Sequence, residues 1–140
     1  MPYDSNNIFA KILRGEIPCH KIYEDEDVLA FMDIMPQSDG HALVIPKVPS
    51  MALEDAKPET LDVLIRAVQK LAPKIRDAMG ATGFRIAQFN GSDAGQTVFH
   101  LHFHIIPVYP GVPLRPHSGE MGDMDKIKAQ AEKIRAALAG

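Results

Sequence analysis

Apolar positions along the chain switch between two periods, and the switches mark its elements. "NNIFAKILRGEIP" predicts a short helix: Asn6 or Asn7 can cap it, Ile8, Phe9, Ile12 and Leu13 form its apolar face, and Gly15 then Pro18 stop it. "HKIYED" (20–25) and "VLAFMDI" (28–34) read as two strands joined by the acidic turn Asp25-Glu26-Asp27. "GHALVIPK" (40–47) is a third strand, and its run Ala42 to Ile45 is apolar on both faces, as in a central strand. In 57–80, apolar residues at 61, 64, 65, 68, 71, 75, 78 and 79 keep the helical period, from Pro58 in the first turn to Gly80 at the stop. Pro73 is expected to kink or divide this helix. "GFRIAQFN" (83–90) and "TVFHLHFHIIPV" (97–108) read as a fourth and a fifth strand around the turn Gly91–Gly95. The Pro- and Gly-rich stretch 109–122 is an irregular excursion, and 123–140 is a last amphipathic helix with Ile127, Ile134 and Leu138 inward. Strands and helices do not alternate as βαβ units, so the fold class is α+β with a mainly antiparallel sheet.

Composition narrows this picture a little. A length of 140 residues suggests one domain, spanning 1–140, with enough surface to bury a core without staples. A net charge of −3 gives no pull toward nucleic acid. The single cysteine, Cys19, leaves no internal disulfide and favours a reducing compartment; it is read as inert. No apolar run approaches the ~18 residues of a membrane span, and the first residues lack the layout of a secretory signal, so a cytoplasmic location is expected.

The chemistry gathers in "HLHFHII", which places three of the six histidines at 100, 102 and 104. On a strand these share one face, roughly 6.6–6.8 Å apart along the axis, while Leu101, Phe103 and Ile105 face a helix layer. Three adjacent imidazolium charges would repel, so most of the row is expected to be neutral at pH 7. Three readings compete. The histidines could be locally satisfied structure. They could ligate a metal with a fourth ligand such as His41, although a straight row does not readily surround one ion. Or one imidazole could attack phosphorus while a second protonates the leaving group. The loop Gly91–Gly95, flanked by Asn90, Gln96 and Thr97, offers backbone and side-chain donors for phosphate oxygens.

"HLHFHII" matches the His-x-His-x-His signature of the histidine triad (HIT) nucleotide-binding family, and "NGSDAGQTVFHLHFHIIP" and "GHALVIPK" extend the match over about 8–110. The chain thus resembles a bacterial Hint-like member, with a tail and helix at 111–140 outside the match. The resemblance implies a five-stranded, mainly antiparallel sheet with a long central helix and a C-terminal helix, assembled as a homodimer. It implies a purine nucleotide substrate and a hydrolase or transferase that acts on nucleoside phosphoramidates first and dinucleoside polyphosphates second. A nucleotide-binding module with little turnover is the alternative.

By the same resemblance His102 is the nucleophile, His104 contacts phosphate and assists the leaving group, His100 supports the site, and His41 is the family's fourth histidine. Asp33 accepts from the ribose hydroxyls; Phe9, Phe31 and Ile34 wall the base; Asn90, Gln96 and Thr97 lie on the phosphate side. Some bacterial members carry a Cys-x-x-Cys pair and a later histidine that bind zinc. Those positions hold Asn7, Ala10 and Pro49, so neither a metal nor another cofactor is expected. Phe89 stands where many members have Asn, which removes or shifts one amide near the phosphate. His20 is read as an exposed strand residue and "YEDED" as a solvated turn. His117 and Arg115 are read as solvated surface, with the alternative that the tail folds over the site and Arg115 meets leaving-group phosphates.

Overall fold

The computed structural model describes residues 2–117 and 119–140. Helix α1 (Ile8–Leu13) starts at Asn7, whose side chain accepts the Ala10 N–H at 2.9 Å. Strands β1 (Lys21–Glu24) and β2 (Val28–Met32) form the expected hairpin, and β3 (Ala42–Pro46) pairs antiparallel with β2. Helix α2 (Pro58–Met79) crosses to the edge strand β4 (Gly83–Ala87), which pairs with β5 (Phe103–Val108). Helix α3 (Met124–Ala139) follows, capped by the Asp123 carboxylate. All four pairings are antiparallel, in the order β1-β2-β3-β5-β4.

The two central strands are buried on both faces, because each face has its own cover. Val28, Ala30, Met32, Ala42 and Val44 join Leu64, Leu71, Ile75, Ile127 and Ile134 under α2 and α3. Leu29, Phe31, Leu43 and Ile45 meet Phe9 of α1 on the opposite face. The alternation of β5 follows this division, with Phe103 and Ile105 on the helix-side core and His104 paired beside Leu43 on the other side.

Two expectations need correction. Helix α2 continues through Pro73 as one element of 22 residues instead of dividing there. Packing of its apolar stripe, with Leu64, Val68, Leu71, Ala72 and Ile75 all buried, offsets the lost hydrogen bond. The fifth strand begins at Phe103, not at Thr97. Residues 98–100 form a bend, so His100 and His102 precede the ladder and only His104 lies in it.

The glycine at the β3 entrance carries a constraint that its neighbours set. Gly40 has φ +85°, and a Cβ there would sit 2.7 Å from Met79 Cγ and 3.2 Å from Pro107 Cγ. Gly80, which ends α2 at φ +69°, has nothing within 4 Å of that position. Gly80→Ala should therefore cost about 1–2 kcal/mol from backbone conformation alone. Gly40→Ala should cost more, about 2–4 kcal/mol, through added overpacking. Urea unfolding of the two variants checks this, and equal losses would contradict it.

Candidate functional site

Three neighbouring strand ends bring together what is far apart in sequence. Asp33 follows β2, His41 precedes β3, and the Asp33 N–H donates to the His41 carbonyl at 3.0 Å, extending that ladder by one step. His104 lies on the adjacent β5. The four histidines are almost entirely enclosed: His41 and His100 are 1% exposed, His104 3% and His102 6%.

Their hydrogen bonds fix which nitrogen carries each proton. The Gln37 backbone N–H points at His41 Nδ1, at 2.9 Å. A backbone N–H can only donate, so Nδ1 accepts and the His41 proton sits on Nε2. His41 Nε2 lies 2.9 Å from His104 Nδ1, so Nδ1 of His104 accepts in turn and its proton sits on Nε2. That Nε2–H is buried and has no hydrogen-bond partner among the described residues, a costly state for a polar group and the mark of a donor waiting for an acceptor.

The other half of the site runs the opposite way. His100 Nε2 donates to the Pro46 carbonyl at 2.8 Å, which leaves Nδ1 as the acceptor for the Tyr3 hydroxyl at 2.6 Å. His102 Nδ1 donates to the His100 carbonyl at 2.7 Å. Its proton is therefore on Nδ1, and Nε2 bears the lone pair. The ring centroids of His102 and His104 lie 5.0 Å apart, so a lone-pair nitrogen and an N–H donor sit on neighbouring rings.

Burial keeps these rings neutral. Desolvation, the largest cause at each, pushes the His102 imidazole down to about 4, His41 to about 3 and His104 to about 2. The Pro46 carbonyl, which favours the charged form of His100, only partly offsets the same burial there. Burial acts the other way on Asp33, raising its carboxyl to about 6 against the Met35 N–H that it accepts. Asp33 Oδ2 approaches His41 Nε2 at 3.4 Å, but His41 is neutral at pH 7, so this is a dipolar contact and not an ion pair.

The expected site residues divide between a cleft and its support. Phe9, Phe31, Asp33, Ile34, Thr97, His102 and His104 line one cleft, with Phe9 edge-on to His102 at 4.9 Å. His41 and His100 lie behind it. Asn90 and Gln96 do not line it. Asn90 exchanges two hydrogen bonds with Gln88 and accepts the Leu53 N–H, while Gln96 braces its loop through the Gly91 N–H and the Met51 and Val98 carbonyls. Phe89 packs edge-on to His104 at 5.4 Å, so an aromatic wall stands near the triad on that side. Asp33, His41 and His104 offer ligand atoms within 4.8 Å of one another, but a metal there would have to displace the His41–His104 hydrogen bond.

Several outlying residues also fall differently from expectation. His117 is half-buried, not solvated: its Nε2 donates to the Gly95 carbonyl at 2.8 Å, and its ring packs against Phe89 and His104. The tail folds over this end of the site because the Arg115 N–H donates to the Gln37 carbonyl, the Gln37 side-chain amide donates to the Arg115 carbonyl, and the Gly122 N–H donates to the Ile34 carbonyl. The Arg115 side chain turns instead to the Pro36 carbonyl and Asp39. His20 is half-buried beside β1, where its carbonyl accepts the Met32 N–H. Cys19 lines the cleft, and burial raises its thiol pKa, in keeping with an unreactive sulfur. Tyr3 and the Gln37 N–H carried no signal in sequence, because a phenol near one end and a backbone amide have no motif.

Comparison with known proteins shows the family. Residues 14–111 match the HIT domain model, and the chain belongs to that family. It is 52% identical to a Hit-like protein of Bartonella henselae, whose crystal structure superposes with a TM-score of 0.91 over 98% of this chain and 100% of that one. It is 37% identical to the adenosine 5'-monophosphoramidase hnt1 of Schizosaccharomyces pombe, over 94% of this chain and 97% of that protein. It is 39% identical to the adenylylsulfatase HINT3 of Arabidopsis thaliana, over 79% of this chain and 59% of that protein.

The proton inventory predicts how stability responds to pH. The imidazole pKa values at 41, 100, 102 and 104 are lower folded than unfolded, so the stability they contribute is present above about pH 6.5 and lost as pH falls through the folded values. Asp33 has the opposite sign: its contribution is present below 3.8 and lost as pH rises through about 6. Four groups outweigh one, so urea-unfolding stability should fall from pH 7 to pH 5, and fall more steeply in Asp33→Asn. Flat or rising stability would contradict the neutral triad.

Proposed function

We propose that this protein is a nucleotide hydrolase or transferase that cleaves nucleoside 5'-phosphate derivatives through a covalent nucleotidyl-histidine. The observation that carries this reading is the His102 tautomer, with Nδ1–H held on a carbonyl and Nε2 presented to the cleft as a neutral nucleophile. The base lies against Phe9, Phe31 and Ile34, and the two Asp33 oxygens accept from the ribose diol. The His104 Nε2–H meets a phosphate oxygen or the leaving atom. Thr97, at the cleft lip, is the member of the polar set closest to the phosphate path; Asn90 and Gln96 serve it by holding the loop.

His102 Nε2 attacks the α-phosphorus, and the bond to the leaving group breaks as that group takes up a proton from solvent. Water then attacks the same phosphorus and gives up a proton to solvent, the phosphorus–nitrogen bond breaks with its electron pair returning to His102 Nε2, and the nucleoside monophosphate leaves. Purine nucleoside phosphoramidates are the first substrate class, in line with the S. pombe relative, and dinucleoside polyphosphates the second. The cycle needs no metal held by the protein. The rival reading, a nucleotide-binding module with little turnover, has no observation of its own in the site.

We also propose a homodimer joined along β4, which is a sheet edge, and the adjoining face of α2. Ile65 and Ile86 are 48% and 41% exposed there, around a shallow groove floored by Phe84 and Pro73. In solution the mass should be twice 15.4 kDa, and Ile65→Arg with Ile86→Arg should halve it. A native monomer by light scattering would overturn this.

The chemistry is tested with a fluorogenic adenosine phosphoramidate. His102→Ala should lower turnover by at least about a thousandfold while AMP affinity stays within about threefold, and EDTA should leave the native rate unchanged. Native protein that binds AMP without turnover would favour the binding module.

A further inference from the structure

The nucleophile sits on backbone that no sheet ladder holds. His100 lies in a bend and β5 starts only at Phe103, yet the His100 carbonyl is the group that orients His102. What fixes that carbonyl is side-chain bonding around His100, together with the Leu101 N–H on the Ser50 carbonyl at 2.8 Å. The His100 ring is held at both nitrogens, by the Pro46 carbonyl on one side and by the Tyr3 hydroxyl on the other. Tyr3 reaches across 97 positions of sequence to do so, and its ring also packs edge-on to His100 with centroids 5.7 Å apart.

The arm that carries Tyr3 is itself anchored. The Asn7 amide and backbone N–H both donate to the Asp4 carbonyl, the Asn6 N–H donates to the Asp4 carboxylate, and Arg14 holds the Ser5 carbonyl. Asn7 in turn caps α1, which delivers Phe9 against His102. The arm, α1 and the first two triad histidines therefore form one connected unit.

We propose that Tyr3 is a positioning residue for the reaction assigned to His102: its hydroxyl clamps the His100 ring, and so fixes the carbonyl that holds the nucleophile's Nδ1–H. This rests on the reading of His102 given above. Without the hydroxyl, His100 Nδ1 becomes a buried acceptor with no donor. The bend can then relax, and the His102 proton divides between its two nitrogens.

The test uses the full chain with Tyr3→Phe, which removes the hydroxyl and keeps the ring, and Tyr3→Ala, which removes both. Three measurements are made: kcat and KM on the adenosine phosphoramidate, thermal melting, and the nitrogen-15 spectrum of histidine-labelled protein, which reports each ring's tautomer. In Tyr3→Phe we expect kcat to fall about tenfold with KM within about threefold, and the His102 signal to change from the Nδ1–H form to a mixture. A Tyr3→Phe protein that melts lower but keeps kcat and the native His102 signal would overturn the clamp and leave Tyr3 a structural anchor. If Tyr3→Ala fails to fold, Tyr3→Phe decides alone. Absence of turnover in the native protein would sink the proposed reaction instead, and the His102 spectrum would still decide the clamp.

Discussion

The site depends on one constraint: a backbone group has only one hydrogen-bonding role. The Gln37 N–H must donate and the Pro46 and His100 carbonyls must accept, so three main-chain groups set the protons on four imidazoles. From the Gln37 end the order runs through His41 and leaves an outward N–H on His104. From the His100 end it leaves a lone pair on His102. An N–H donor and a lone-pair nitrogen thus emerge side by side from the same fold, with no protonation event required to arrange them.

Burial makes that arrangement durable. Water that could exchange the protons is largely excluded, and the cost of charging a buried imidazole holds the rings neutral at pH 7. Asp33 is drawn the other way by the same desolvation, yet with a pKa near 6 it is still mostly ionised at neutral pH. A carboxylate acceptor and neutral imidazoles coexist because burial moves the imidazole values down, away from pH 7, while the upward shift of Asp33 stops short of it. The apolar wall of Phe9 and Phe31 both excludes water and shapes the cleft, so the second core serves packing and site together.

Much of the architecture was legible in the chain because periodicity reports burial. Ala42 to Ile45 read as a doubly buried strand, and β3 is one; the apolar stripe of 57–80 marked α2 to within a residue at each end. Pro73 does not divide α2, since a local rule about one hydrogen bond cannot weigh the whole buried face of a helix. The start of β5 departs from the pattern for a related reason. Strict alternation reads as strand, yet Leu101 and His100 are buried by side-chain and loop bonds before the ladder begins.

The cleft was legible where a motif names its residues: the histidine row gave His102 and His104, and the family resemblance gave Asp33, while His100 lies behind. It was not legible where the acting group is a backbone amide or a distant phenol, as with Gln37 and Tyr3. Asn90 and Gln96 show a third case: polar residues in the right loop whose amides are spent on bracing it.

The central claim is that His102 Nε2 forms a bond to phosphorus. A rapid-quench experiment with a substrate radiolabelled at the α-phosphorus tests it most directly. The account predicts a label that accumulates on the protein before steady state, is stable in alkali and labile in acid, and maps to the peptide containing His102. A label found on another residue, or product formed with none ever on the protein, would contradict it.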